Sequence, residues 1–317
     1  MHVFRGLPNP ESRSPCALTI GNFDGVHRGH AALLQTVVNQ ARQMGLPAAV
    51  MTFEPHPREY FAARAGHLDQ APARIANLRD KLEALAQAGI DRVIVEHFNA
   101  RFASLTATQF IDDILVQGCH ARWICVGDDF RFGAKRSGDF DLLRRAGQAW
   151  GLGVEAMPTL MHDGLRISSS EVRQALASGN FALTQELLGR PYRMSGRVIH
   201  GKKLGRTLGF PTLNLQVVHK RPAVTGIFVV RVHGLAEQAL PGVASLGVRP
   251  TVEDQGRVLL ETHVLDWQGD AYGRLIRVEF LKKLRDEEKY DSLEQLTAAI
   301  AEDERQARGY FLAINQF

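Results

Sequence analysis

Short apolar runs alternate with amphipathic patterns over the first half of the chain. Residues 17–21, 48–53, 92–98, 122–127 and 154–158 are compact runs of this kind, the pattern of buried strands. Between them, apolar positions recur at helical spacing over about 30–44, 74–88, 106–117 and 139–150. Strand, helix, strand at this spacing requires crossover connections and therefore a parallel sheet. One further helical pattern runs from about Ser169 to Leu188, where Gly189, Arg190 and Pro191 end it. From Tyr192 to about Phe280 the texture changes to short β-rich runs, such as 226–232 and 275–280, punctuated by Gly and Pro. That pattern predicts a small antiparallel barrel or sandwich. Asp291-Ser292 then offers a helix cap. Leu293, Leu296 and Ile300 follow at helical spacing, which predicts a last helix packed on the barrel by that stripe.

The length, 317 residues, exceeds one typical core and predicts two domains. A chain 45% hydrophobic and 23% charged is an ordinary globular one. Cys16, Cys119 and Cys125 are too few for a disulfide framework and lack metal-ligand spacing, so reduced thiols in the cytoplasm are expected. No apolar run approaches the ~20 residues that span a bilayer, and no secretory signal is evident. The net charge of +4 is unevenly placed. Between Glu186 and Glu237 there is no acidic residue, while Arg190, Arg193, Arg197, Lys202, Lys203, Arg206, Lys220, Arg221 and Arg231 all fall there. Such a stretch suits nucleotide phosphates or is plain solvated surface. It lacks the interleaved aromatics of a platform for single-stranded nucleic acid.

Four motifs sit at predicted strand ends or helix starts. TIGNFDGVHRGH (19–30) runs from the first strand through a Gly-rich turn to His27 and His30 at a helix start. Unpaired amides there favour phosphate, and the two histidines can add donors or simply cap the helix. RISSSEVR (166–173) places three serines and two arginines at another helix start, which fits either a phosphate site or a Ser cap. TFEPHP (52–57) and VGDDFRFG (126–133) end the second and fourth strands at the same sheet edge. Their Asp, His and Phe residues suit an aromatic or sugar ligand, or serve turn and core. Open parallel sheets bind ligands at that edge.

In the second half, GRVIHGKKLGRTLGFPTLNL (196–215) is dense in glycine and base, and Gly201, Gly205 and Gly209 allow close approach of backbone to phosphate. Thr212 and Asn214, two apart on a strand, face one side and offer two neutral oxygens to a hard cation such as Mg²⁺. Glu261, leading a later apolar run, is either a proton acceptor for an attacking hydroxyl or a solvated strand end.

In order and over nearly the whole chain, these motifs resemble the bacterial bifunctional riboflavin kinase/FAD synthetase family. IGNFDGVHRGH, TFEPHP, VGDDFRFG and RISSSEVR are similar to signatures of its adenylyltransferase domain. GRVIHGKKLGRTLGFPTLNL, SLGVRPTV and ETHVLDWQGDAYG are similar to those of its kinase domain, and LRDEEKY leads into the last helix as the family pattern does. The resemblance implies an α/β plus β architecture. Residues 1–187 would form a Rossmann-like parallel-sheet FMN adenylyltransferase domain. Residues 188–317 would form a small antiparallel β-barrel riboflavin kinase domain with a C-terminal helix.

It implies two reactions: riboflavin plus ATP to FMN and ADP, then FMN plus ATP to FAD and pyrophosphate, with Mg²⁺. His27 and His30 then contact the ATP phosphates, with Gly21, Phe23, Asp24, Asp129, Arg166, Ser169, Ser170 and Arg173 completing the adenylyltransferase site. In the kinase, Thr212 and Asn214 match the Mg²⁺–ATP pair and Glu261 the catalytic base. Gly201, Lys203, Gly205, Gly209, Pro211, Arg249 and Arg285 match positions around ATP and flavin, Arg285 on a loop closing over the flavin. A cytoplasmic enzyme of small-molecule substrates is implied, a monomer or weak homo-oligomer without nucleic-acid or membrane partners.

Three positions depart from the family pattern: Ser170 for threonine, Leu213 for alanine in Pro-Thr-Ala-Asn, and Ser245 for asparagine. HxGH also occurs in other nucleotidyltransferases and in class I aminoacyl-tRNA synthetases, but the latter would need a tRNA-binding domain. A catalytically silent flavin or nucleotide sensor is disfavoured by the presence of His27, His30, Thr212, Asn214 and Glu261 together.

Overall fold

The computed structural model describes residues 1–162, 164–201, 204–217, 219, 221–248 and 258–314. The chain forms two compact units: Met1–Pro72 with Lys81–Ser168, and Ala73–Asp80 with Ser169–Phe317.

The first unit is built on a parallel sheet of β1 (His2–Arg5), β2 (Cys16–Ile20), β3 (Ala48–Glu54), β4 (Arg92–His97), β5 (Ala121–Gly127) and β6 (Gly153–Met157), in the order β1-β4-β3-β2-β5-β6. The strands expected from the apolar runs are all present, and β1 is an addition. His2–Arg5 is a mostly exposed edge strand whose apolar run is only Val3-Phe4; it is held by pairing along β4 and by Phe4 against the core. The strand order reverses at β2. The chain proceeds outward through β3 and β4, then returns to the other side of β2 with β5 and β6. A crevice for ligands opens at such a switch point, beyond the carboxyl ends of the strands.

The helix α1 (Arg28–Gln43) buries Leu33, Leu34, Val37, Val38 and Ala41, the stripe its periodicity predicts. The expected helix over 106–117 is present, but Phe110–Gly118 is wound as a π-helix, with Cys119 N–H donating to the Ile114 carbonyl at 2.7 Å. TFEPHP opens an unforeseen helix, Pro57–Arg64. His56 Nδ1 accepts from Arg58 N–H, and Glu59 accepts from His56 N–H, a capping box behind a Pro at the first helical position.

The second unit holds a closed antiparallel barrel of β9 (Arg193–Ile199), β10 (Leu213–Val217), β11 (Gly226–His233), β12 (Leu240–Val248), β13 (Val258–Val264) and β14 (Leu275–Arg285), in the order β10-β13-β12-β11-β14-β9. The numbering leaves β7 (Met161–His162) and β8 (Leu165–Arg166) to a small hairpin of the first unit. The single helix expected over 169–188 is two, Ser169–Ala177 and Phe181–Leu188. Gly179 takes a left-handed φ of +71° and Asn180 caps the second helix, so the break is encoded in Gly-Asn. Phe181 then stacks among Tyr192, Phe228 and Phe280. Residues 73–80 dock here too. The Arg74 backbone pairs with Arg221 and Ala223, Tyr192 donates to the Ile75 carbonyl at 3.0 Å, and Asp80 accepts from Ser195 N–H at 3.1 Å.

The last helix (Leu293–Ala313) begins at the expected Ser292 cap. Its buried face is Asp303, Ala307 and Phe311, not the expected Leu293–Leu296–Ile300 stripe, and Leu293 is 55% exposed. Ala307 and Phe311 pack with Val229 and Leu265, and Asp303 takes a bidentate pair from Arg285, at 2.9 and 2.7 Å. The helix is thus anchored by its later turns.

Glu279 on β14 ties three strands together. It is 4% exposed and accepts from Arg193 of β9 and from Arg231 and His233 of β11. Burial pushes its carboxyl up, but the hydrogen bonds and charges of Arg193 and His233 outweigh this and hold it below the usual range. A carboxyl depressed by folding contributes stability above its unfolded pKa of about 4.3, and that contribution is lost as pH falls through the folded value. Glu279→Gln is expected to cost about 1.5–3 kcal/mol at neutral pH. In urea melts the deficit against wild type should shrink steadily below about pH 4. A deficit independent of pH would assign the loss to packing instead.

Candidate active sites

At the carboxyl end of β2, residues 21–27 form a tight loop. Phe23, Gly25 and Val26 all have positive φ (47°, 86° and 42°), a conformation that costs energy at the two non-glycine positions. Phe23, Asp24 and His27 are buried, and Gly21 lies against the Phe23 ring. His27 is the N-cap of α1, its Nδ1 accepting from His30 N–H at 3.2 Å. The two imidazoles stack with centroids 3.6 Å apart, and His30 also meets Phe23 at 5.0 Å. The sequence left capping and phosphate binding open for these histidines. The structure gives His27 the cap and sets both rings at the positive end of α1, where an anion is favoured.

Gly29 leaves room beside that stack: a Cβ there would lie 3.2 Å from two atoms of the His27 ring, which stacks on His30. Asp129, in the loop after β5, pairs with Arg166 at 2.5 Å, both groups being exposed. Its neighbour Asp128 accepts from Thr159 N–H and Oγ1. Phe132 is a core residue and Phe130 stacks on it. Ser169, Ser170 and Arg173 belong to the second unit, where the serines open their helix and Arg173 Nε donates to the Ala73 carbonyl at 2.6 Å.

In the barrel, register gathers residues far apart in sequence. Asn214 pairs with Glu261, Glu261 with Ser245, Ser245 with Ile227, and Ile227 with Arg285, one row across five strands. Directly opposed antiparallel residues share a face, so Asn214 and Glu261 stand side by side. Leu213 pairs with buried Thr262 and so falls on the other face, leaving the Asn214 side clear of its added volume. Asn214 is buried, its amide nitrogen donating to the Thr212 carbonyl at 3.3 Å. Gly201 covers it closely, since any Cβ there would lie 2.6–2.7 Å from the amide group. Gly205 packs on the Phe210 carbonyl, Gly209 has φ +90°, and the Pro211 carbonyl is 2.8 Å from His263 Nδ1.

Ser245 donates to Glu287, whose carboxylate lies over Gly247 so closely that a Cβ there would overlap it. Arg285, expected on a flavin-closing loop, is held by Asp303, which keeps its guanidinium above the ordinary pKa. Lys203 and Arg249 lie outside the described residues. Sequence reasoning did not single out His263 or Glu287. Neither sits in a spacing that marks it: His263 pairs with Val243, two residues along β13 from Glu261, and Glu287, beyond the end of β14, reaches the row through its hydrogen bond from Ser245. Among the described residues no group of three or more His, Cys, Asp or Glu is arranged to cage a metal.

One chain thus carries a parallel-sheet unit with a helix start at its switch-point strand and a closed antiparallel barrel, the two-domain class to which the comparisons also point. A family model described as FAD synthetase matches residues 9–171 and one described as riboflavin kinase matches residues 188–311. The bifunctional riboflavin kinase/FMN adenylyltransferase of Escherichia coli (strain K12) is 50% identical over 314 residues, covering 98% of each chain. That of Pseudomonas fluorescens is 49% identical over 310 residues, covering 97% of each. A crystal structure from Streptococcus pneumoniae described as a macrolide-efflux protein matches with a TM-score of 0.75 at 28% identity, covering 97% of this chain and 99% of that one. The chain belongs to the bifunctional riboflavin kinase/FMN adenylyltransferase family.

Replacing Gly29 by Ala should favour α1 by up to about 1 kcal/mol, because glycine is a poor helix former. The same change is expected to push the His27 ring off His30. Changed imidazole NMR signals for both histidines, with FAD formation reduced and thermal stability kept, is the expected result. Unaltered signals would show that the ring has room to move.

Proposed function

We propose that the chain phosphorylates riboflavin to FMN on its barrel and adenylylates FMN to FAD on its parallel-sheet unit, each with its own ATP. The proposed division of labour runs along the sequence, 188–317 for the kinase and 1–187 for adenylyl transfer, with residues 73–80 and 169–187 of the latter stretch clustering in the barrel's unit. The observation that carries the reading is the direct pairing of Asn214 with Glu261.

In the kinase, Glu261 takes the proton of the ribityl 5′-hydroxyl as its oxygen attacks the γ-phosphorus and ADP leaves. The Thr212 hydroxyl and the Asn214 amide oxygen suit a hard cation that stays bound mainly to ATP phosphates and water. The close cradle at Gly201 and the turned amide of Asn214 fit that use. Mg²⁺ there would neutralise phosphate charge. Gly201, Lys203, Gly205, Gly209 and Pro211 frame the nucleotide, with Arg249 and Arg285 beside the substrates.

In the adenylyltransferase, the FMN phosphate is already anionic and needs no base. It attacks the α-phosphorus of ATP and pyrophosphate leaves. His27, His30 and the amides at the start of α1 offset the charge of the phosphates, aided by Arg166, Ser169, Ser170 and Arg173, with Asp129 near the reacting groups. Gly21, Phe23 and Asp24 shape the loop. No helix among the described residues is long and apolar enough to cross a membrane. The proposed enzyme is cytoplasmic, and monomeric or weakly self-associating.

Chromatography of riboflavin, ATP and Mg²⁺ incubated with the full chain is expected to show FMN and then FAD. His30→Ala should stop the second product and spare the first. Glu261→Gln should abolish phosphorylation of riboflavin while FAD still forms from supplied FMN, with losses of about 10²-fold or more in each affected step. Loss of FMN formation in His30→Ala, or loss of FAD formation from supplied FMN in Glu261→Gln, would overturn the assignment of sites.

A further inference from the structure

Lys81 is 1% exposed, among the most buried large side chains of the protein. It lies on the helix Leu78–Gln87, in the stripe that also buries Ala84 and Leu85, where an apolar residue would be the ordinary choice. Taking an ammonium group out of water costs several kcal/mol unless its new contacts compensate. Its Nζ donates to Thr52 Oγ1 at 3.3 Å, and Thr52, itself fully buried at the end of β3, donates to the Asn22 carbonyl at 3.1 Å.

The order of donors in this chain is forced. An ammonium has donors only, so Thr52 must accept from it, and the one hydroxyl proton of Thr52 is left to point at Asn22. Asn22 opens the loop in which Phe23 and Val26 hold left-handed φ values and which ends at the His27 cap. Such a loop keeps its shape only when fixed from outside.

We propose that Lys81, acting through Thr52, is a positioning residue for adenylyl transfer: it fixes the Asn22 carbonyl and with it the loop that sets His27 and His30 against the phosphates. The inference rests on the reading of that loop as the adenylyltransferase site. Lys81 touches no reacting atom in this role. It acts on the geometry in which ATP reacts, so kcat should fall more than the KM for ATP rises.

The experiment uses the full chain and measures FAD formation from FMN and ATP, with riboflavin phosphorylation and thermal unfolding as controls. Lys81→Met keeps length and removes the donor. Thr52→Val keeps shape and removes the hydroxyl, and Thr52→Ser restores it. Lys81→Met and Thr52→Val are each expected to lower kcat for FAD formation about tenfold or more, with riboflavin phosphorylation unchanged and Thr52→Ser close to wild type. The double variant Lys81→Met/Thr52→Val should be no slower than the slower single one, because the two residues act in one chain.

Multiplying effects in the double variant would overturn the proposal. So would a Thr52→Val enzyme with wild-type kcat, or kinetic losses that only track a lower melting temperature. His30→Ala tests the underlying site reading separately. If that variant still made FAD at the wild-type rate, the site would be misplaced, whatever Lys81→Met did.

Discussion

Strand β2 lies between β3 and β5, and the chemistry of the first unit depends on that placement. Where the strand order of a parallel sheet reverses, the right-handed connections on the two sides leave toward opposite faces, so the space past the carboxyl ends stays open. Residues 21–27 fill its rim, α1 starts there, and the loop after β5 brings Asp129 from the neighbouring strand. The loop would be expensive by itself, since two of its residues carry side chains in left-handed backbone. It stands because the strands beside it are rigid and because buried groups hold it from below.

The barrel solves a comparable problem by register. Closure fixes each strand against two neighbours, so a shift of one residue would turn Asn214 and Glu261 to opposite faces. The seam through β14 carries this constraint. It pairs with both β11 and β9, and Glu279 binds cationic groups from each of them. Precision in the Asn214–Glu261 row is therefore bound up with an ion cluster in which none of the row's residues takes part.

Much of this was legible in the sequence. Strands read from apolar runs match β2 to β6 within a residue or two, because a buried parallel strand has little choice of composition. The HxGH loop was found from local residue types, and His27 and His30 do stack, while of the Thr-Leu-Asn run only Leu213 and Asn214 lie on β10. What escaped was decided by tertiary partners. The apolar run of β1 is only Val3-Phe4, the turn at Pro55-His56-Pro57 proved to be a helix start, and Gly179-Asn180 split a helix whose periodicity looked continuous. The stripe at Leu293, Leu296 and Ile300 gave the right helix and the wrong face, because the Arg285–Asp303 pair and Phe311 select later turns. A buried lysine such as Lys81 reads in sequence as one more solvated charge.

The second unit takes residues 73–80 from between elements of the first, so the chain passes from one unit to the other three times, after Pro72, after Asp80 and after Ser168. No single cut separates the two. Exchange of one half with a relative by simple recombination would strip the barrel of the segment that supplies the partner carbonyl of Tyr192 and the carboxylate on Ser195. A kinase cut from this chain at Ser168 would lack eight residues of its own unit, among them partners of Tyr192 and Ser195 that lie more than a hundred positions upstream.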